Sequence, residues 1–155
     1  MLPKILHLIW IGPEMPDWAR ENVSRFRALN PDYEIKIHGE EVLLPELSKV
    51  YQRITDLASK ADLLRYSALA RYGGWYFDVD FWPFRPIDDI VRAYGLTGEK
   101  LFLSRQFGNA NPVFTHNNAP LACDKDSEGL KVLIDMVLSY KGPLSRTTFG
   151  PALII

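Results

Sequence analysis

Two aspartates stand inside the most aromatic stretch of the chain. Residues 72–84 hold seven of the 19 aromatic side chains (Tyr72, Trp75, Tyr76, Phe77, Phe81, Trp82 and Phe84), yet Asp78 and Asp80 interrupt them. Carboxylates amid so much apolar surface need a partner or a ligand. Two apart in an extended chain, they point to one side, and at a strand end they can converge on one cation. Hard divalent ions take oxygen donors, and Mg²⁺ or Mn²⁺ is commonly held by one or two carboxylates while phosphate and water complete the shell. The plain alternative is a turn carrying two solvated aspartates. Upstream, Asp62 and Arg65 are three apart in a helical segment and so share a face. They read as part of a site, as a surface ion pair, or, through the Ser59–Asp62 spacing, as a capping box.

The elements that must position these residues follow from periodicity. Residues 5–11 form a nearly continuous apolar run stopped by Gly12-Pro13, as expected of a strand buried on both faces. Residues 16–30 carry Trp18, Val23, Phe26 and Leu29 at helical spacing and stop at Asn30-Pro31. Alternation over 33–38 predicts a half-exposed strand, and 47–54 a further short helix. The clearest helix covers 59–72, with Ala61, Leu64, Ala68 and Tyr72 on one stripe and Gly73-Gly74 supplying a left-handed cap. A strand over 75–79, a helix over 87–94, a strand over 101–104, a polar loop over 106–118, a helix over 127–140 and a buried strand over 149–155 complete the reading. This alternation predicts an α/β layered domain with a largely parallel central sheet. Such sheets bind ligands beyond the carboxyl ends of their strands, which singles out Trp10-Ile11-Gly12 and Asp78-Val79-Asp80.

Composition narrows the classes. The 155 residues carry 18 Lys+Arg against 19 Asp+Glu, which predicts one domain over 1–155 and gives no overall electrostatic reason for nucleic-acid or anionic-membrane binding. The lone Cys123 excludes an intrachain disulfide framework and suits a reducing, cytoplasmic setting; it reads as a small buried residue. The apolar run at 5–11 falls far short of the ~20 residues a membrane span needs. His7, mid-strand, reads as a satisfied core histidine rather than a ligand.

Four blocks in order carry a resemblance. Leu2-Pro3-Lys4-Ile5-Leu6-His7-Leu8-Ile9-Trp10-Ile11-Gly12, Asn30-Pro31-Asp32-Tyr33-Glu34, Ala61-Asp62-Leu63-Leu64-Arg65-Tyr66 and Tyr72-Gly73-Gly74-Trp75-Tyr76-Phe77-Asp78-Val79-Asp80 resemble the signature of the DXD sugar transferases of glycosyltransferase family 32, the group of initiating mannosyltransferases and capsular polysaccharide enzymes. The likeness covers about the first 90 residues, with faint echoes at Asn117-Asn118-Ala119 and Gly150-Pro151. It implies a GT-A, Rossmann-like nucleotide-sugar-binding fold, a nucleotide-diphosphate sugar donor, a saccharide or other hydroxyl acceptor, and a bound Mn²⁺ or Mg²⁺. By the same resemblance Asp80 ligates the metal directly and Asp78 contacts the ribose and the metal. Asp62 and Arg65 meet the donor sugar, with Arg65 also near the diphosphate. Trp10, Ile11 and Gly12 meet the nucleobase, where Trp10 otherwise simply packs beneath the strand. Transfer with retention is implied, and His116 is a weak candidate for a further metal ligand.

Two other readings compete. The hydrophobic strand ending in Asp-x-Asp also resembles haloacid-dehalogenase-type phosphatases, in which the first aspartate is a nucleophile. A non-catalytic nucleotide-sugar and metal-binding module fits the same residues. It draws on length, because family members run longer; a compact form, a piece of a longer chain, or completion by homo-oligomerisation all satisfy that expectation.

Overall fold

The computed structural model describes residues 2–97, 100–107, 114–144 and 148–150, with backbone alone at 105–107 and 114–117. The chain order is β1 (Ile5–Ile9), α1 (Asp17–Leu29), β2 (Glu34–His38), two 3-10 turns, α2 (Ser48–Gln52), α3 (Leu57–Tyr72), β3 (Gly74–Tyr76), α4 (Ile87–Tyr94), β4 (Phe102–Phe107), β5 (Phe114–Cys123) and α5 (Glu128–Ser139). These strands make one sheet in the order β2-β1-β3-β5-β4. It is parallel over β2, β1 and β3 and antiparallel where β5 joins β3 and β4 joins β5.

The register divides the core in two. Leu6, Trp75 and Ala122 lie abreast on one face, while His7, Tyr76 and Leu121 lie abreast on the other, because successive side chains of a strand alternate between faces. The first row packs with Ala19, Val23 and Phe26 of α1 and Ile87 of α4. The second packs with Leu63, Leu64, Ala68 and Leu69 of α3 and with Leu130, Leu133 and Val137 of α5. A sheet covered on both faces has apolar strands without a polar side, which is why β1 reads as an apolar run broken only by His7.

Several sequence expectations change. The strand at 75–79 ends at Tyr76, and a turn follows in which the Phe81 N–H donates to the Asp78 carbonyl at 3.1 Å. Asp78 and Asp80 therefore lie in a turn and do not share a strand face. The helix foreseen over 47–54 divides into a 3-10 turn, Pro45–Leu47, and α2. The polar loop foreseen over 106–118 is, where described, the two arms of an antiparallel ribbon with Phe107 opposite Phe114. Such a ribbon pairs its backbone without needing an apolar face, so composition misled. On α3 the stripe fails: Asp62, Leu63, Leu64, Arg65, Tyr66, Ser67, Ala68 and Leu69 are all buried, and Tyr72 is 40% exposed. A helix wedged between a sheet and further helices has little solvent face to mark. The strand foreseen over 149–155 lies almost wholly outside the described residues.

Between α3 and β3 the chain turns within one residue. Gly73 closes the helix with φ 64° and ψ −165°, so it is a positive-φ junction but not the left-handed cap foreseen. A Cβ there would lie 2.7 Å from the Lys125 amide nitrogen, and one on Gly74, at φ 95°, would lie 2.5 Å from the Ile5 carbonyl oxygen. Both positions need glycine for conformation and for space. His7 braces this junction. Fully buried, it donates from Nε2 to the Gly73 carbonyl at 2.8 Å, so its Nδ1 must accept from His38 Nε2 at 2.9 Å. Burial lowers His7 to a pKa of about 4, keeping it neutral and structural, as foreseen.

Candidate active site

The carboxyl ends of β1 and β3 open on one edge of the sheet, since the two strands run parallel with His7 beside Tyr76. α3 returns to this edge at its beginning. Asp56 caps its N-terminus, accepting from the Ser59 N–H at 2.9 Å, so the Ser59–Asp62 capping box is not used and Asp62 is free for other work. One helical turn on, Asp62 and Arg65 face the sheet edge.

They are not a surface pair. Each is 5% exposed, and Arg65 sits at the centre of the cluster. Its Nη2 lies 3.1 Å from Asp62 Oδ1 and 3.1 Å from Asp78 Oδ1, and its Nη1 donates to the Asn118 carbonyl at 2.8 Å. The guanidinium stands over the Tyr76 ring at 4.5 Å from its centroid, and the Tyr76 hydroxyl donates to Asp78 Oδ1 at 2.5 Å. Asn118 Nδ2 donates to Asp62 Oδ1 at 2.6 Å. Arg65 Nε is buried with no partner among the described residues. Burial pushes the Asp62 carboxyl up to about 6, despite the opposing pull of Arg65 and the Asn118 bond. For Arg65, burial works against the charge, but the surrounding Tyr76, Asp62 and Asp78 outweigh it and the guanidinium stays charged.

The far end of the described chain closes over this cluster. The Tyr66 hydroxyl donates to the Phe149 carbonyl at 2.7 Å, bringing Gly150 so near that a Cβ there would lie 3.0 Å from Asp62 Oδ2 and 3.1 Å from Asn118 Nδ2. Asp80 stands apart in the turn, exposed to solvent. Trp10, Ile11 and Gly12 lie on the same edge with other contacts. Trp10 Nε1 donates to the Pro13 carbonyl at 2.8 Å and its ring meets Trp18 edge-on at 6.2 Å. Ile11 packs against the α3 side of the core, and Gly12 lies beside Leu57. The His116 side chain is outside the described residues. Cys123 is buried, which pushes its thiol up to about 12.

The structure thus brings together Asp62, Arg65 and Asp78, which the sequence singled out, and joins them in a way the sequence did not foretell. Tyr76 was absorbed into an aromatic strand, and Asn118 and Gly150 were only faint echoes.

Over residues 16–96 the sequence matches the family described as "Glycosyltransferase sugar-binding region containing DXD motif", a span that contains Asp62, Arg65, Asp78 and Asp80. The chain belongs to this family. It is 24% identical over 136 residues to mannosyl phosphorylinositol ceramide synthase SUR1 of Saccharomyces cerevisiae, covering 83% of this chain and 31% of that protein. It is 31% identical over 98 residues to inositol phosphoceramide mannosyltransferase 3 of Schizosaccharomyces pombe, covering 58% of this chain and 27% of that one. The chain therefore spans less than a third of these relatives. Among solved structures it is similar to PaToxG glycosyltransferase, with TM-score 0.77, 19% identity and coverage of 98% of this chain and 67% of that one. The UDP-bound glycosyltransferase domain of the YGT toxin follows at TM-score 0.65 and 14% identity, covering 88% and 62%. These likenesses give the GT-A fold, and membership of a DXD glycosyltransferase family leaves no support for the phosphatase reading. Among the described residues no helix is long and apolar enough to cross a membrane.

Proposed function

We propose that this chain forms the donor-binding, catalytic region of a divalent-metal-dependent glycosyltransferase. It moves a hexosyl group from a nucleotide-diphosphate sugar to an acceptor hydroxyl, with retention at the anomeric carbon. The observation that carries the reading is Arg65, buried and shared between Asp62 and Asp78 at the sheet edge where the Asp80 turn begins.

Asp78 and Asp80 suit Mn²⁺ or Mg²⁺. Both offer oxygen donors to solvent, and the contacts of Asp78 with Arg65 and Tyr76 fall on Oδ1, leaving Oδ2. No group of three or more His, Cys, Asp or Glu able to hold a metal exists among the described residues, so diphosphate oxygens and water would fill the remaining positions, as is usual for these ions. A bound ion supplies Lewis-acid stabilisation of the charge gathering on the departing diphosphate.

The chain's own residues do the rest. Asp62 Oδ1 is spent on Arg65 and Asn118, which leaves Oδ2, on the Gly150 side, to accept from a sugar hydroxyl. Glycine at 150 lets the chain pass beside that oxygen without a side chain crowding it. Arg65 holds Asp62 and Asp78 in fixed relation and sets positive charge near the diphosphate, while Trp10, Ile11 and Gly12 border the nucleobase. No protein nucleophile is required. The acceptor oxygen bonds to the anomeric carbon on the face from which the diphosphate oxygen leaves, and the hydroxyl proton passes to that leaving oxygen. The names of the yeast relatives make mannose the first sugar to try and a polyol hydroxyl a natural acceptor.

A second reading is a donor-binding module without turnover, because the same residues can hold donor and metal whether or not transfer follows. The test is a thermal-shift series with UDP, GDP and their sugars, each with Mn²⁺ and with chelator. Binding at 100 times Kd stabilises by about 2.7 kcal/mol, which raises Tm by about 5–10 °C in a domain of this size. The shift is expected only with the metal, because the bare diphosphate meets Asp78 and Asp80 as like charges. A shift untouched by chelator refutes the metal bridge. Donor hydrolysis or transfer separates the enzyme from the module.

A further inference from the structure

We propose that Asn22, on α1, is the positioning residue that aims Asp80 at the metal, an inference that rests on the metal reading above. The two aspartates of the turn are held by different means. Asp78 is gripped through its side chain by Arg65 and Tyr76. Asp80 is exposed, and no hydrogen bond or ion pair among the described residues involves its side chain. Its direction is set through the backbone. Val79, between the two, is 7% exposed, and its carbonyl accepts from Asn22 Nδ2 at 2.9 Å, across 57 positions of sequence. That carbonyl and the Asp80 amide belong to one planar peptide group. Fixing the oxygen therefore fixes the plane from which the Asp80 Cα–Cβ bond departs. At the other end the Phe81 N–H closes the turn on the Asp78 carbonyl at 3.1 Å, so the short loop is gripped twice and cannot rotate as a whole.

Asn22 is ill suited to a purely structural role. It is 5% exposed on the face of α1 that buries Ala19, Val23 and Phe26, and its Oδ1 has no partner among the described residues. The burial of a lone acceptor offsets much of what the bond to Val79 contributes to stability. The return lies in geometry, since a ligand already aimed loses less conformational freedom when the ion binds.

The decisive variant is Asn22→Leu, close in size and without either polar atom. Mn²⁺ is titrated into wild type and variant with saturating UDP, and in a parallel series with GDP, and free Mn²⁺ is read by its EPR signal. Hydrogen exchange of peptides spanning residues 77–82 is followed in the same proteins without metal. The variant is expected to keep its Tm within about 3 °C, to bind Mn²⁺ about tenfold more weakly, and to exchange faster at 77–82 while the rest of α1 is unchanged. Asn22→Ala carries the same expectation should leucine fail to fold. Unaltered Mn²⁺ affinity in a folded variant overturns the proposal, whether or not Tm falls, because lost stability with intact affinity marks a structural residue. Failure of the wild type itself to bind Mn²⁺ with either nucleotide sinks the metal reading and this proposal with it.

Discussion

Replacing Asp62 by asparagine is expected to make the protein more stable at pH 7.5 and disable it. Burial raises the Asp62 carboxyl from 3.8 to about 6, and the attraction of Arg65 and the hydrogen bond from Asn118 recover only part of the loss. A displacement of about two pH units, at 1.36 kcal/mol each, means that ionised Asp62 costs the fold about 2–3 kcal/mol relative to its neutral form. The folded value lies above the unfolded one, so the stability Asp62 contributes is fully present below about pH 4 and is lost as the pH rises through about 6. Asparagine has the shape of the protonated acid, keeps an Oδ1 for Asn118 and Arg65, and cannot ionise. Arg65 retains Asp78 as its counter-charge. Urea unfolding at pH 7.5 should therefore show Asp62→Asn more stable than wild type by about 2–3 kcal/mol, or about 4–12 °C in Tm. At pH 4 the two should agree within about 0.5 kcal/mol, and the variant's turnover should fall at least about tenfold. A wild type more stable than the variant at pH 7.5 would show that the pair with Arg65 outweighs desolvation, and would refute the reasoning.

Arg65→Lys should cost both fold and function. One ammonium cannot reach Asp62, Asp78 and the Asn118 carbonyl together, so urea unfolding should show a loss of about 2 kcal/mol or more, with turnover down at least about tenfold; a fully active, fully stable variant removes the shared guanidinium from both the fold's support and the chemistry. Calorimetry of Mn²⁺ with nucleoside diphosphate should find affinity lost in Asp80→Ala with Tm unmoved. Asp78→Ala should lose less affinity but lower Tm, because Arg65 and Tyr76 lose a partner; undiminished affinity in both variants removes the metal pair. Gly74→Ala drives a Cβ against the Ile5 backbone and should cost about 3 kcal/mol or more, whereas Gly95→Ala, with nothing within 4 Å of its Cβ, should cost only about 1 kcal/mol. Circular dichroism with urea ranks the two, and equal losses would mean that φ alone, and not the Ile5 contact, makes Gly74 necessary.

Much of the domain was legible because it is written in short-range terms. A strand covered on both faces is largely apolar, and β1 is, apart from His7, whose ring nitrogens are both paired. A helix following a strand must stop before Asn30-Pro31, and α1 does. Asp78 and Asp80 stood out since charge is costly among aromatic side chains, and the spacing of Asp62 and Arg65 gave them one helical face. Where the sequence misled, a local rule met a tertiary exception. Asp56, not Ser59, caps α3, because the helix begins at Leu57, before the start that its periodicity marked. The segment taken for a polar loop contains Asn118, which no periodicity could set beside Asp62.

By itself the amino-acid sequence determined most of the order of elements up to β4 and singled out the charged residues that gather beyond β1 and β3. Only the tertiary structure decided how those residues act on one another. The bonds that assemble the site join Asn118 to Asp62 across 56 positions and Asn22 to Val79 across 57. Periodicity reports which way a side chain faces over a few turns of chain, but not what it meets there. The same holds for charge: Asp62 titrates near 6 because the fold removes it from water, and desolvation is a property of the packed protein that no residue carries alone.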